Sequence, residues 1–408
     1  MKLFDELKWR GLIKDITSPE LEEKLNEGGM TFYIGTDPTA DSMHIGHLSS
    51  FLISKRLKDA GHNPILLIGG ATGRIGDPKP NVERTMKSEE EIEKNVEGLT
   101  KQAKELFGFE VVNNYDWIKN ISVIDFLRDY GKFFNINYML DKDIIRRRLE
   151  TGISYTEFSY MILQALDFLH LNKEKNCTLQ VAGSDQWGNI TAGVDLIRKV
   201  TGKEAYAFTM PLVTDSNGVK FGKSEGNALW LDKNKTSSYE LYQFLINAED
   251  SMIGDYLKIY TFLSKEEIED LIEKHNNEPH LRLGQKALAE SIITFLHGKD
   301  EFDKAVKISE ALFSGDIKNL TLSELEEGMK NVPSSEIKEE GNIVDILVEN
   351  NIASSKREAR EFIQNGSITI NGDKVTDLEF NITKEVTIEG KLVVIRRGKK
   401  KYTILKFI

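Results

Sequence analysis

The chain has 408 residues, a formal net charge of −11 and a single cysteine, Cys177. Its length exceeds what one hydrophobic core usually supports, so we expect two or three domains. One cysteine excludes an intramolecular disulfide framework, and the lack of a charged-then-apolar leader or of an apolar run of about 18 residues predicts a cytoplasmic protein without a membrane segment.

The charge is unevenly distributed along the chain. Residues 341–408 carry twelve Lys or Arg against nine Asp or Glu, a local net charge of +3, so the first 340 residues carry −14. An acidic average does not favour binding of nucleic acid over the whole surface. We therefore expect a polyanionic partner to contact the C-terminal segment first, or a local basic patch elsewhere.

Short apolar runs alternate with longer helical patterns in the first 220 residues. The runs are MTFYIG, NPILLIGG, FEVVNN, CTLQVAG and AFTMPLVT. Such alternation predicts the α/β class, with a Rossmann-like parallel sheet between helices over residues 1–224. The stretch at about residues 117–172 is helical and too long for one crossover, so we interpret it as an insertion.

The patterns change beyond residue 225. Residues 225–325 show helical periodicity and predict an all-helical domain, whereas the polar segment 326–340 contains proline and serine and predicts a linker. Residues 341–408 give two helical patterns and strand patterns around SITING, EVTIEG and LVVIRRGKKKYTILKF. We expect this segment to form a small α+β domain.

Glycines and polar residues follow three predicted strands, in the loops GTDPTADSMHIGH, GGATGRIGDP and GSDQW. Ligands of open α/β sheets bind beyond the carboxyl ends of the strands, so these loops are expected to line one crevice. In the first loop HIGH, residues 44–47, follows possible capping side chains at Thr39, Asp41 and Ser42. It indicates a helix start that offers amides to phosphate, although two half-exposed histidines without a ligand are an alternative.

Two further segments carry candidate functional residues. In TEFSYMILQALDF a helix would place Tyr160, Gln164 and Asp167 on one polar stripe, which fits a specific pocket or an internal polar network. GVKFGKS, residues 218–224, has three residues between its glycines where a P-loop requires four. Its Lys220 and Lys223 suit a mobile loop that contacts phosphate, although lysines in surface loops are more often only solvated.

These motifs, in this order, identify a family. HIGH and KFGKS resemble the two signatures of class I aminoacyl-tRNA synthetases, the second being a variant of KMSKS. Within that class YIGTDPTADSMHIGH, GGATGRIGDP, TEFSYMILQALDF and AGSDQWGN resemble the bacterial tyrosyl-tRNA synthetases. VDILVENNIASSKREAREFIQNGSITING is similar to the RNA-binding domain named after the fourth ribosomal small-subunit protein. The resemblance covers essentially the whole chain.

The resemblance implies activation of L-tyrosine with ATP to tyrosyl-adenylate and pyrophosphate, followed by transfer of the tyrosyl group to the 3′-terminal ribose of tRNA(Tyr). It implies a tyrosine site formed by Tyr33, Asp37, Asp77, Tyr160, Gln164, Asp167 and Gln186. It implies an ATP site at Gly35, Gly46, Ser50, Asp185 and Lys223, and catalytic roles for Thr39, His44, His47, Arg84, Lys220, Lys223 and Ser224.

The resemblance also implies cofactors and partners. Mg²⁺ would arrive with ATP and be held chiefly by phosphate oxygens, because the sequence offers no dedicated ligand cluster. The insertion at about residues 117–172 would form the interface of a homodimer, and residues 225–325 would lie on the anticodon side of the bound tRNA.

Three alternatives stay open. A tryptophanyl-tRNA synthetase shares the fold and both signatures, but Tyr33 with Asp167 and the RNA-binding tail favour tyrosine. A small-molecule nucleotidyltransferase of the same superfamily would have no use for the helical domain and the tail. A non-enzymatic RNA-binding or splicing cofactor descended from a synthetase would not need intact HIGH and KFGKS.

Overall fold

The chain is described by a computed structural model that covers residues 1–78, 85–224, 227–398 and 401–408, without the side chains of residues 143, 144, 223, 224 and 227. It separates into two compact units, which we call the first unit (residues 1–236 and 247–292) and the second unit (residues 237–246 and 293–408). The first unit thus combines the predicted Rossmann-like region with part of the predicted helical region. The predicted domain limits stay predictions.

The strands are numbered in chain order as β1 (Asp15–Ile16), β2 (Thr31–Thr36), β3 (Asn63–Ile68), β4 (Glu110–Asn113), β5 (Cys177–Gly183), β6 (Tyr206–Met210), β7 (Lys223–Ser224), β8 (Asn227–Ala228), β9 (Ser334–Ile337), β10 (Gly341–Asn342), β11 (Ile368–Ile370), β12 (Asp373–Val375), β13 (Asn381–Ile382), β14 (Leu392–Arg397) and β15 (Lys401–Phe407).

The α-helices are α1 (Leu3–Trp9), α2 (Leu21–Glu27), α3 (Ile45–Asp59), α4 (Thr72–Ile75), α5 (Glu89–Phe107), α6 (Tyr115–Ile118), α7 (Val123–Asp125), α8 (Ile136–Leu140), α9 (Asp143–Leu149), α10 (Tyr155–Lys175), α11 (Trp187–Thr201), α12 (Ser238–Ile246), α13 (Ile253–Tyr260), α14 (Lys265–Asn277), α15 (Leu283–His297), α16 (Lys299–Ser314), α17 (Leu322–Gly328), α18 (Ile343–Glu349) and α19 (Lys356–Gln364). None of the helices among these described residues is long and apolar enough to cross a membrane.

The main sheet of the first unit has the order β1-β6-β5-β2-β3-β4, and all its strands are parallel except β1. The five strands predicted from the sequence, β2 to β6, are all confirmed. The apolar runs of β2, β3, β5 and β6 reflect burial on both faces, as in β6, where every residue is buried. Edge strand β4 is half-buried or exposed. The strand order reverses between β2 and β5, so a crevice opens at their carboxyl ends, beyond Thr36 and Gly183.

Helix α10 covers this sheet with one continuous core. Its Met161, Ala165 and Phe168 belong to the same buried cluster as Tyr33 on β2, and the Tyr33 and Phe168 rings lie 5.3 Å apart. Residues 117–172 are helical from α6 to α10, with a π-helical turn at Phe126–Tyr130, in agreement with their sequence pattern. The packing of α10 aims its polar stripe at the crevice.

The second unit corrects two sequence predictions. Its five-stranded sheet has the order β12-β11-β14-β15-β9, and edge strand β9 lies within the segment 326–340 that was expected to be a linker. The residues of β9 are only half-buried or exposed, which leaves little apolar pattern to detect. The second correction concerns EVTIEG, which was expected to be a strand. It forms a 3₁₀ turn at Lys384–Val386, and Ile388 makes only an isolated bridge to Leu392.

Candidate active site

A cavity of ≈ 480 Å³ lies at the carboxyl ends of β2 and β5. It is lined by fifteen of the residues predicted from sequence: Tyr33, Gly35, Asp37, Thr39, His44, Gly46, His47, Ser50, Asp77, Tyr160, Gln164, Asp167, Asp185, Gln186 and Lys220. The predicted residue Arg84 lies outside the described residues, as do the side chains of Lys223 and Ser224. The fold therefore brings together residues from loops that are far apart in sequence.

One end of the cavity is built around a buried carboxylate. Asp167 on α10 accepts hydrogen bonds from Asn114 Nδ2 to its Oδ2 and from Trp117 Nε1 to its Oδ1, each at 2.9 Å. The carboxylate is 2% exposed, and burial raises the pKa of Asp167 to about 8 despite these two donors. Both oxygens keep a lone pair for a further donor.

The hydroxyl of Tyr33 belongs to the same end of the cavity. Tyr33 is 1% exposed, and its buried hydroxyl has no hydrogen-bond partner among the residues that the structure describes. Burial, and secondarily the charge of Asp167, raises the pKa of this phenol. A buried unpaired hydroxyl carries a desolvation cost of roughly 1–3 kcal/mol. A ligand that accepts from Tyr33 and donates to Asp167 would satisfy both groups.

The sequence did not single out Asn114 and Trp117. Asn114 is the last residue of FEVVNN and directly follows β4, and a polar residue at the end of a strand was the available signal. The two residues precede Asp167 by 53 and 50 positions. Their role depends on the approach of α10 to the end of β4, which local sequence patterns do not report.

A second carboxylate, Asp37, accepts hydrogen bonds from two hydroxyl groups. Thr72 Oγ1 donates to its Oδ1 at 2.8 Å, and the Tyr160 hydroxyl donates to its Oδ2 at 3.0 Å. A Cβ at Gly69 would overlap Asp37 Oδ1 and Thr72 Oγ1, which explains the first glycine of GGATGRIGDP. Thr72 is a further residue that sequence reasoning missed.

Two groups near Asp37 offer polar atoms to the cavity. Gln164 lies one turn beyond Tyr160 on α10, and its buried Oε1 accepts no hydrogen bond from the described part of the chain. Asp77 lies in the loop after α4, where its Oδ2 accepts from Gln186 Nε2 at 2.9 Å and its Oδ1 from Asn189 Nδ2 at 3.2 Å. This end of the cavity therefore presents oxygen acceptors, which suit a cationic donor.

HIGH forms the start of α3, and the residue that caps this helix differs from the predicted ones. The N-cap is His44, whose Nδ1 accepts from Gly46 N at 3.1 Å, and the residues Thr39, Asp41 and Ser42 do not cap the helix. His47 Nδ1 accepts from His44 N at 3.3 Å, and the two rings stack with centroids 3.8 Å apart. Because both Nδ1 atoms accept, each ring carries its proton on Nε2.

The two signature motifs contact each other. Ile45 N donates to Leu229 O and Leu231 N donates to Met43 O, each at 2.8 Å, so residues 229–231 pair with the HIGH segment. Gly222 of KFGKS has φ 89°, and a Cβ there would overlap Ile45 Cγ2. Burial, then the charges of His44 and Lys220, lowers the pKa of His47 to about 3, so this imidazole is neutral.

The base of the GVKFGKS segment is fixed by α13. The Phe221 ring lies 4.3 Å from the ring of Tyr256 and 5.2 Å from that of Tyr260. The Tyr256 hydroxyl donates to Thr214 O at 3.0 Å, just before the segment. One side of the loop is thus held by an aromatic cluster, while Lys220 lines the cavity.

Comparison with known proteins finds relatives along the whole chain. Residues 25–314 match the family model described as tRNA synthetases class I (W and Y), and residues 324–405 match the Tyrosine--tRNA ligase SYY-like C-terminal domain. The tyrosine--tRNA ligase of Staphylococcus haemolyticus is 54% identical over 415 aligned residues, 99% of each chain. That of Staphylococcus carnosus is 53% identical over 416, with 100% of this chain and 99% of the relative covered.

A solved structure of similar fold is the C-terminally truncated mitochondrial tyrosyl-tRNA synthetase of Aspergillus nidulans. It superimposes with a TM-score of 0.68 at 32% identity, covering 76% of this chain and 94% of its own. The family models and the full-length relatives lead to one conclusion. The chain belongs to the class I tRNA synthetases, and within them to the tyrosine–tRNA ligase family.

Proposed function

We propose that this chain forms tyrosyl-adenylate from L-tyrosine and ATP in the cavity of the first unit, and then transfers the tyrosyl group to tRNA(Tyr). The observation that carries the proposal is the buried pair of Tyr33 and Asp167. A phenol hydroxyl can accept from Tyr33 and donate to Asp167, so tyrosine satisfies both. Phenylalanine would leave the buried Tyr33 hydroxyl without an acceptor and would give Asp167 no further donor, which costs free energy.

The opposite end of the cavity would hold the ammonium group of tyrosine. An ammonium group has three N–H donors, and Asp77, Tyr160 and Gln164 each offer an oxygen acceptor. The Tyr160 hydroxyl donates to Asp37 and therefore keeps its own lone pairs free. Asp37 and Gln186 complete this end by holding those acceptors in place.

In the first step a carboxylate oxygen of tyrosine attacks the α-phosphorus of ATP. A bond forms between that oxygen and phosphorus, the bond to the pyrophosphate oxygen breaks, and negative charge develops on pyrophosphate. The enzyme's contribution is positioning and charge stabilisation, because no protein nucleophile takes part.

The signature motifs would act on the phosphates and the nucleotide. The Nε2–H groups of His44 and His47 are directed donors, and positive charge would come from the loop lysines. We assign pyrophosphate and nucleotide contacts to Thr39, His44, His47, Arg84, Lys220, Lys223 and Ser224, and ATP contacts to Gly35, Gly46, Ser50 and Asp185. Of these, Arg84 and the side chains of Lys223 and Ser224 lie outside the described residues.

In the second step the terminal ribose hydroxyl of the tRNA attacks the carbonyl carbon of the mixed anhydride. An ester bond forms, AMP leaves, and the hydroxyl proton passes to solvent or phosphate. Mg²⁺ would enter as part of the ATP substrate and neutralise phosphate charge. In the described part of the chain, no three His, Cys, Asp or Glu side chains group together to hold a metal ion, so we assign it no protein ligand.

We also propose a homodimer and a cytoplasmic location. Residues 117–172 expose large apolar side chains, among them Val123 (72% exposed), Ile124 (66%), Leu127 (50%) and Ile136 (58%). Clustered exposed apolar side chains are typical of association surfaces. The second unit, which contains the basic C-terminal segment, would bind tRNA. A monomeric mass in solution would contradict the proposed dimer.

The decisive experiment is exchange of labelled pyrophosphate into ATP, with tyrosine, tryptophan and phenylalanine tested separately. We expect exchange with tyrosine only, because only a phenol satisfies Tyr33 and Asp167 together. Exchange with tryptophan would favour the tryptophanyl alternative. Absence of exchange with tyrosine would refute the proposed function.

A further inference from the structure

Asn189 is bonded to two of the residues proposed to bind tyrosine. It lies in the first turn of α11, three residues after Gln186. Its Nδ2 donates to Asp77 Oδ1 at 3.2 Å and to Gln186 Oε1 at 3.0 Å, while Gln186 Nε2 donates to Asp77 Oδ2 at 2.9 Å. The three side chains therefore form a closed ring of hydrogen bonds.

This ring does not serve to cap α11. Gln186 occupies the N-cap position, yet its side chain makes no capping hydrogen bond to the helix backbone. Asp77 and Gln186 line the cavity, whereas Asn189 is not among its described lining residues. Asn189 thus lies behind the two residues that would contact a ligand.

The hydrogen-bonded ring holds the carboxylate of Asp77, which lies in a loop. Asp77 lies in a loop and follows Gly76, which has φ 87°, so no helix or strand holds it. The amide donors Gln186 Nε2 and Asn189 Nδ2, one on each oxygen, hold the plane of the carboxylate. An asparagine nitrogen carries two hydrogens, so Asn189 can hold Asp77 and Gln186 together without adding charge.

We propose that Asn189 is a positioning residue for the substrate ammonium group, acting through Asp77 and Gln186. The inference rests on the proposed tyrosine-activating function and adds a residue to its specificity. It assigns Asn189 to recognition of the amino group, separate from recognition of the phenol by Tyr33 and Asp167.

The first test is Asn189→Leu in the full chain, assayed by tyrosine-dependent pyrophosphate exchange. Hydrogen bonds to a charged group are lost, so the KM for tyrosine should rise roughly 10- to 100-fold. The KM for ATP and kcat should change by less than about twofold, because the proposal assigns the ring to the ammonium group and not to the phosphates or the reacting carboxylate. An unchanged KM for tyrosine would overturn the proposal.

Two competitive inhibitors separate positioning from general damage to the pocket. Tyramine keeps the phenol and the ammonium group, whereas 3-(4-hydroxyphenyl)propionate keeps the phenol and lacks the ammonium group. In Asn189→Leu the inhibition constant of tyramine should rise as much as the KM for tyrosine. The inhibition constant of the propionate should change by less than about twofold. Equal weakening of both inhibitors would mean that Asn189 only supports the fold, which would overturn the proposal.

Thr191→Val is the matched control on the same helix. The Thr191 hydroxyl donates to Trp187 O at 2.9 Å and to Gly188 O at 3.2 Å, so its loss disturbs the same turn without touching Asp77. We expect no selective loss of tyramine in this variant, and such a loss would assign the effect to the helix.

A second, milder variant keeps the test valid if Asn189→Leu does not fold. Asn189→Ser keeps one donor and should give a smaller loss with the same preference for ammonium-bearing ligands. Equal loss of both inhibitors in Asn189→Ser would overturn the proposal. Wild-type protein without tyrosine-dependent exchange would refute the proposed function itself, whereas active wild type with unaltered Asn189 variants would refute only this inference.

Discussion

At the scale of single residues, Asp167 shows what burial of a carboxylate costs. Its carboxylate is buried and its pKa is raised to about 8, so near pH 6 the folded protein keeps a proton that the unfolded chain releases. The free energy of unfolding therefore falls as pH rises from about 4 to about 8. The carboxyl group proposed to bind the phenol therefore destabilises the fold at neutral pH and above.

We expect Asp167→Asn to remove this pH dependence, because an amide does not titrate. Between pH 5.5 and 7.5 the wild type should lose about 2 kcal/mol more of its unfolding free energy than the variant. Urea unfolding followed by tryptophan fluorescence measures this, since all four tryptophans (Trp9, Trp117, Trp187 and Trp230) lie in the first unit. Parallel changes in the two proteins would contradict the assignment.

The sequence motifs predicted many of the residues that line the cavity, but they did not predict the residues that support those side chains from behind. Tyr160, Gln164 and Asp167 could be selected because helical spacing puts polar groups on one face of an otherwise apolar segment. Trp117, Asn114 and Asn189 could not, because each acts through a hydrogen bond to a carboxylate at least fifty positions away. Such bonds depend on how elements dock and leave no local periodicity.

At the scale of elements, the two signature motifs prove to be neighbours. HIGH pairs with residues 229–231, which begin five residues after the end of KFGKS, and Gly222 fits closely against Ile45. The short spacing of the glycines in GVKFGKS thus has a structural reason other than a damaged P-loop. Gly222 allows the loop to contact the start of α3, and Phe221 anchors it to α13.

We expect Phe221→Ala to slow formation of tyrosyl-adenylate roughly 10-fold, because a loop without its anchor positions its lysines poorly on pyrophosphate. The Kd for tyrosine should stay within about twofold, since the phenol and ammonium ends of the cavity do not involve Phe221. Single-turnover kinetics and equilibrium binding of tyrosine measure the two quantities separately.

Phe221→Met is the control for this anchor. Methionine keeps a large apolar side chain against Tyr256 and Tyr260 and occurs at this position in the consensus KMSKS, so the rate should be largely restored. A rate as low as that of the alanine variant would show that the ring itself, and not apolar packing, is required. Parallel loss of tyrosine affinity in Phe221→Ala would contradict a role confined to the loop.

The same contrast holds for whole strands. β2, β3, β5 and β6 were predictable because burial on both faces demands continuous apolar runs. β9 was not, because an edge strand with half-exposed residues needs only backbone pairing to β15. The sequence pattern therefore predicts a strand that is buried, and it predicts poorly a strand that is held mainly by backbone pairing to its neighbour.

At the scale of the whole molecule, the chain crosses between its two units more than once. Residues 237–246 belong to the second unit and residues 247–292 return to the first. Every described residue that lines the cavity lies in the first unit. We therefore expect that deletion of part of the second unit separates amino-acid activation from binding of the tRNA body.

Deletion of residues 341–408 tests that separation, but the structure shows that it does more than remove an RNA-binding segment. One core of the second unit joins Ile308 and Leu325 to Leu392, Val394 and Ile404, so the deletion uncovers apolar surface on α16 and α17. It also leaves β9 without its partner β15. We expect the shortened second unit to lose order, which limited proteolysis would detect as cleavage within residues 293–340.

The first unit should survive this deletion, because its cores and its sheet are formed within residues 1–236 and 247–292. Tyrosine-dependent pyrophosphate exchange should keep at least about half its rate, whereas charging of tRNA(Tyr) should fall by roughly 100-fold or more as phosphate contacts are lost. Matched substitution of exposed Arg357 and Arg360 on α19 by glutamine keeps the fold and removes only charge. A drop in charging in this variant that is largest at low salt and shrinks as the salt concentration rises would locate the tRNA contact on the basic segment. Unchanged charging in both proteins would exclude the segment from tRNA binding.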